Sequence, residues 1–200
     1  MARLADPDLA QRRRQQILDA AELCFRRRGF HQATMQEICA EARISPGALY
    51  RYFGSKADII AAIAEEKHGE TDDQFEEALA KSGILEAFDV MLQRFMLKVT
   101  DEDFAALFCD IAGEAARDPE LAKRLSEIDE KSHARFARAI ADAQTRGEVD
   151  ARIDARDAAE ALAGAMLGLG LHVALRRDGS PEDALRQLRT LAERLLASPA

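Results

Sequence analysis

TMQEICAEARISPGALYRYF, residues 34–53, reads as two short helices joined by about three or four residues. Thr34 followed by Glu37 is a capping-box pattern: hydroxyl and carboxylate each take a backbone N–H that the first turn leaves unpaired. Ser45-Pro46 opens the second helix with a capping hydroxyl and a proline, whose missing N–H costs nothing at the first helical position. Ile38, Ala42, Ile44, Leu49 and Phe53 then fall on the inward side, which makes a helix-turn-helix. The outer side of the second helix carries Pro46, Gly47, Tyr50, Arg51 and Tyr52, while Thr34 and Ser45 stand at helix starts.

Those residue types suit duplex DNA. Helix N-termini turn free N–H groups and the positive end of the dipole towards phosphates, and Thr34 and Ser45 add hydroxyls. Tyrosine hydroxyls donate to phosphate oxygens, and Lys56 adds a point charge. Gly47 is small enough for the backbone to come close to the groove, and Arg51 has the reach and fork to read a guanine edge. A three-helix core with no such role leaves two tyrosines and an arginine unexplained. The charge agrees: residues 1–56 hold ten Arg or Lys against six acids, or +4, within a chain of net charge −8, which leaves −12 to the rest.

Outward from this stretch the helical period persists. A first helix runs from Asp8 to Arg28 with Ile17, Ala21, Cys24 and Phe25 on one side, and Gly29 stops it. Ile17, Phe25 and Phe30 support the helix-turn-helix, whose second helix is expected to end near Gly54. Ser55 caps a longer helix from Lys56, whose polar middle, Gly69–Asp73, is expected to bend or fray. Further helices are predicted over Ile84–Val99, Asp103–Ala116, a long stretch after Asp118-Pro119 closed by Gly147, Asp154–Arg177 and Pro181–Ala197, the last two split by Asp178-Gly179-Ser180. No run alternates as a half-buried strand does. The fold class is therefore all-α, with about nine helices.

At 48% apolar and 32% charged residues, the 200-residue chain has what a packed globular fold needs. Met1–Asp6 lacks the apolar centre of a signal peptide. The apolar run Ala161–Leu171 is well short of the roughly 20 residues that span a bilayer. The expectation is a cytoplasmic protein with no membrane partner. Cys24, Cys39 and Cys109 have no neighbour at metal-ligand or redox spacing and read as small buried hydrophobes.

The run Ile44–Lys56, ISPGALYRYFGSK, closely resembles the signature of the tetracycline-repressor (TetR) family, and Ile17–Phe30 with Thr34–Ala42 matches the part before it. The resemblance covers about the first quarter of the chain. It implies a dimer of all-helical subunits, each with an N-terminal DNA-binding domain, here residues 1–56, and a C-terminal effector-binding and dimerisation domain, here residues 57–200. By that resemblance Thr34, Ser45, Pro46, Gly47, Tyr50, Tyr52 and Lys56 map onto positions that touch DNA, mostly at phosphates. Arg51 lies at a variable position, so its base-reading role rests on its chemistry alone. One residue departs from the family: Arg43 stands where glycine is usual in the turn, which predicts a positive φ and a strain of about 1 kcal/mol.

Beyond residue 57 the reading rests on pattern. Phe88, Met91, Leu92, Phe95, Phe104, Phe108, Phe136 and Met166 form an apolar set that suits either an adaptable small-molecule pocket or plain core, with His172, Asp110 and Glu114 as polar groups to orient a ligand. Gly164, Gly168 and Leu171, with Leu188, Leu191 and Leu195 on the last helix, suit a dimer interface or an intrasubunit core. The function expected is a repressor released from a palindromic operator by a small-molecule effector, with no cofactor or metal; an activator or an effector-blind regulator shares the same DNA-binding half. Two Glu-x-x-His motifs, Glu65/His68 and Glu130/His133, have the spacing of di-iron carboxylate bundles. Each pair nevertheless falls about 140° to 200° from its helix's apolar stripe, facing away from a bundle interior.

Overall fold

The computed structural model describes residues 7–176 and 180–197. The readings made on Met1–Asp6 and on Arg177, Asp178 and Gly179 lie outside them. Among the described residues there is no strand, and nine helices follow one another: α1 Pro7–Gln32, α2 Met35–Glu41, α3 Pro46–Leu49, α4 Lys56–Ser82, α5 Ile84–Val99, α6 Glu102–Ala115, α7 Pro119–Thr145, α8 Ala155–Leu175 and α9 Pro181–Leu196.

The punctuation follows the capping chemistry. Gly29 breaks α1 with φ 76° and ψ 157°, a conformation closed to side chains with a Cβ, and a last short turn runs on to Gln32. Ser55 Oγ accepts the Asp58 N–H at 3.1 Å at the start of α4. The Asp154 carboxylate takes the N–H groups of Arg156 and Asp157, both at 2.9 Å, at the start of α8. Ser180 Oγ takes that of Asp183 at 3.2 Å at the start of α9. Arg43 has φ 51°, as expected for its turn position.

Two expectations fail. The bend foreseen at Gly69–Asp73 is absent, and α4 continues through it. The Thr71 hydroxyl there bonds back to the Lys67 carbonyl at 2.9 Å, and Phe75 in the next turn is buried. The second helix of the helix-turn-helix ends at Leu49 instead of near Gly54. The Leu49 carbonyl accepts from both Tyr52 and Phe53, at 2.9 and 3.0 Å, and this tight turn sends Phe53 back into the core.

Packing divides the chain into two compact units: residues up to Glu66 with Ala106–Leu125, and Lys67–Ala105 with the residues from Ser126 onward. The expected boundary at residue 56 lies at the start of α4. The first unit extends further because its core draws on later residues. Ile17, Leu18, Phe25, Ile38 and Leu49 are fully buried with Ile59 and Ile60 of α4 and Leu121 of α7, and Leu107 of α6 joins them. Cys24 and Cys39 are buried in this unit, and burial pushes both thiols up from their ordinary range, so they are inert core residues. Cys109 is only half-buried.

The second unit has its own core, with α8 packed on α5 and α9. At its centre Phe136 stacks on Phe88 (5.4 Å between centroids, 6° between planes) and receives Phe75 edge-on at 5.4 Å and 87°. Gly170 of α8 lies directly under the Phe95 ring of α5, where any Cβ would overlap it.

Two substitutions test these cores. Leu121→Ala removes a fully buried side chain supplied from far along the chain and is expected to cost about 2–5 kcal/mol in urea unfolding. Gly170→Ala is expected to cost about 1–3 kcal/mol by displacing Phe95. A loss well under 1 kcal/mol for either would contradict the packing described.

Candidate nucleic-acid interface

The helix-turn-helix is built from helices too short to persist alone, so buried side chains fix its surface. Thr34 and Glu37 form the expected box: the Thr34 N–H donates to Glu37 Oε2 at 2.9 Å, and the Glu37 N–H donates to Thr34 Oγ1 at 3.2 Å. Ser45 Oγ accepts the Ala48 N–H at 3.2 Å, and Pro46 follows in the first turn. Ile38, Ala42, Leu49 and Phe53 are buried and Ile44 is half-buried. The turn is held from α1, where the Gln16 amide donates to the Ala42 carbonyl at 2.7 Å.

Most of the set the sequence singled out remains outside. Thr34, Ser45, Pro46, Gly47, Tyr50 and Arg51 are exposed, Tyr50 to 55%. Tyr52 is half-buried against the core, which leaves part of its ring accessible. No atom lies within 4 Å of where a Gly47 Cβ would stand, so that stretch of backbone is open to an approaching surface.

Lys56 differs from its expected role as a plain point charge. Its ammonium donates to the carbonyls of Phe30 at 2.7 Å and His31 at 3.0 Å and sits 4.8 Å from the centroid of the Phe30 ring. Burial pushes it below the ordinary lysine range, while the Glu114 and Glu37 carboxylates act the other way. Of the basic residues nearby, Arg27 pairs with Glu41, and Arg28 with Glu37 at 3.0 Å. Arg12, Arg13, Arg43 and Arg51 are exposed.

The C-terminal candidates separate. Phe88, Leu92 and Phe136 are closed core, and Met91, Phe95, Phe104 and Met166 are half-buried against that core. Phe108 belongs to the first unit, and His172 is exposed on α8 with its Nε2 3.1 Å from the Arg176 guanidinium. Asp110 and Glu114 also lie in the first unit, where Asp110 accepts the Phe30 N–H at 3.0 Å and Glu114 lies 3.7 Å from His31.

Of the interface candidates, Gly164, Gly168, Leu171 and Leu191 are exposed, Leu195 is half-buried and Leu188 is buried within the subunit. His68, expected to face away from its helix's apolar stripe, makes polar contacts with α7, with Ser132 Oγ at 3.3 Å and Asp129 at 3.5 Å. Glu130 pairs with Arg156 at 2.6 Å, so His68 and Glu130, one residue of each Glu-x-x-His motif, serve helix contacts. The anchoring roles of Lys56, Asp110 and Gln16 leave no local signal in the sequence, because their partners are backbone atoms 25 to 80 residues away.

Comparison with known proteins agrees with this geometry. The family model for bacterial regulatory proteins of the tetR family matches residues 17–63, and that for the C-terminal region of BetI-type transcriptional repressors matches residues 87–197. The HTH-type transcriptional regulator UidR of Escherichia coli strain K12 is 35% identical over 147 residues, 72% of this chain and 73% of UidR. Among solved structures, Salmonella enterica GusR superposes with a TM-score of 0.74 at 31% identity, covering 92% of this chain and 95% of GusR. FadR of Bacillus subtilis in complex with stearoyl-CoA superposes with a TM-score of 0.74, covering 93% and 99%; at 21% identity it shares the fold.

The capping box carries a pH signature. The Thr34 backbone N–H, then its hydroxyl, hold the Glu37 carboxyl below the ordinary value of 4.5, with Arg28 assisting against a partial burial that works the other way. A carboxyl with a lowered folded-state pKa stabilises fully above its unfolded value and loses that contribution as the pH falls through the folded one. Glu37→Gln keeps an acceptor that does not titrate. Chemical unfolding at a series of pH values from about 7 down to about 3 is expected to show a shallower acid loss in the variant; identical slopes would contradict the assignment.

Proposed function

Because the chain belongs to the TetR family of bacterial transcriptional regulators, we propose that it is a homodimeric repressor that leaves a palindromic operator when a small-molecule effector binds. It is a DNA-binding transcriptional regulator, as its relatives are. Acting on operator DNA, it works in the cytoplasm. The observation that carries the reading is the exposed surface of Ser45, Pro46, Gly47, Tyr50 and Arg51 standing on a helix-turn-helix core of buried Ile38, Ala42, Leu49 and Phe53. Tyr50, Thr34 and Ser45 hold phosphates, and Tyr52 supports them from the edge of the core. Lys56, whose two backbone bonds use two of its three N–H donors, contributes the third and its charge. Arg51 reads a base edge.

A palindrome needs two copies with recognition surfaces about 34–36 Å apart, so that both enter successive major grooves. The outer side of α8 supports such a pairing. Leu167 and Leu175 are 51% and 67% exposed, in line with Gly164, Gly168 and Leu171, and Leu191 of α9 is exposed as well. By length and composition α8 could cross a membrane, yet one of its sides already packs on α5 and α9. A second copy that covers the other side removes its apolar surface from water.

For the effector, the half-buried Met91, Phe95, Phe104 and Met166 offer an adaptable apolar lining beside the closed core. An effector that prefers a subunit arrangement with another spacing of the recognition surfaces weakens DNA binding by its differential affinity for the two states.

Selection from random duplex DNA at two salt concentrations is expected to enrich a palindrome whose binding weakens with salt, as counterion release requires. The absence of any enriched site would overturn the reading. With that site in hand, Arg51→Ala is expected to change base preference at one position per half-site, at a discrimination of about 1–3 kcal/mol; weaker binding with unchanged preference would remove its base-reading role. Leu167→Glu combined with Leu171→Glu is expected to yield a folded monomer in sedimentation, whereas an unaltered dimer would move the interface elsewhere.

A further inference from the structure

The corner between α1 and α2 is not held by its own helices. Gly29 leaves the helical conformation at φ 76°, and a Cβ there would stand 2.7 Å from Asp110 Oδ2, so the α6 carboxylate lies directly against the glycine backbone. The same oxygen accepts the Phe30 N–H at 3.0 Å. The Phe30 and His31 carbonyls go to the Lys56 ammonium of α4 at 2.7 and 3.0 Å. One N–H and two carbonyls of this corner are thus satisfied by two side chains of opposite charge, one from α6 and one from α4, and α2 begins only a few residues later at its Thr34 cap.

Asp110 is exposed, and α6 meets the core through Leu107 and Ile111 instead. Its carboxylate therefore adds little to the packing of its own helix. What it fixes is the direction in which the chain leaves α1.

We propose that Asp110 is a positioning residue for operator recognition: through the Phe30 N–H it sets the angle at which the helix-turn-helix leaves α1. This rests on the DNA-binding reading above. A charge-assisted bond to a backbone N–H is among the stronger single contacts a protein makes, and losing its acceptor leaves that N–H unpaired. A corner released in this way still meets phosphates, but it aligns poorly with base edges.

The test compares wild type, Asp110→Ala and Asp110→Asn on the selected operator and on a random duplex of equal length, with active fractions measured by titration. Asp110→Ala is expected to lower the ratio of operator to random affinity by roughly tenfold. Asp110→Asn, whose side-chain oxygen can still accept the Phe30 N–H, is expected to restore the ratio to within about threefold of wild type. An equal loss on both duplexes, no loss, or an asparagine variant as poor as alanine would overturn the proposal. Amide hydrogen exchange keeps its failure distinct from failure of the DNA-binding reading. The Phe30 amide is expected to be protected in the wild-type protein without DNA and freed in Asp110→Ala, and rapid exchange in wild type would overturn the positioning role even where an operator is bound.

Discussion

Seven residues of α2 and four of α3 are too few to hold a helix in water, because the first turn costs more order than its single hydrogen bond returns. They are helical here because Ile38 and Leu49 are buried against Ile17 and Phe25 of α1 and Ile59 and Ile60 of α4. The exposed side of the helix-turn-helix depends on that burial. Tyr50 and Arg51 have a defined direction only because Leu49 on one side and Phe53 on the other are anchored, with one Leu49 carbonyl closing the turn between them. The same core also includes Leu107 and Leu121, so the proposed recognition surface within residues 34–56 rests on side chains encoded more than fifty residues later.

Local chemistry made much of this legible in the sequence. Thr34 with Glu37, Ser45 with Pro46, Ser55, and Gly29 each mark a boundary by a mechanism that acts within a few residues, and each does so in the structure. Even the departure at Arg43 is visible beforehand, since the turn needs a positive φ whichever residue supplies it. What escaped is long-range. Nothing in the sequence around Asp110 or Lys56 says that their partners are the backbone atoms of Phe30 and His31, and an acidic residue in an apolar helix invites a ligand-binding reading instead. The early end of α3 escaped too, because the pull of Phe53 into the core overrides a sequence that could continue the helix.

In the C-terminal part the difficulty is different. Core, pocket lining and subunit interface all use Leu, Phe, Met, Ala and Gly at helical spacing, so periodicity alone cannot sort them. Burial does much of the sorting. Phe88, Leu92, Phe136 and Leu188 are closed core, and the exposed Leu167, Leu171 and Leu175 form an apolar surface that a lone subunit leaves in water. His68 illustrates the same limit for polar residues: its angular distance from the apolar stripe is correct, yet α7 presents Ser132 and Asp129 to that side of α4, and a polar contact forms there.

In the proposed complex two such surfaces, one from each copy, stand one DNA turn apart on a palindrome. Hydroxyl-radical footprinting of the wild-type protein on an enriched duplex measures this directly. Two protected patches related by the palindrome's twofold axis are expected, with centres about 10 base pairs apart. A single patch, or uniform protection that ignores the palindrome, would contradict that arrangement.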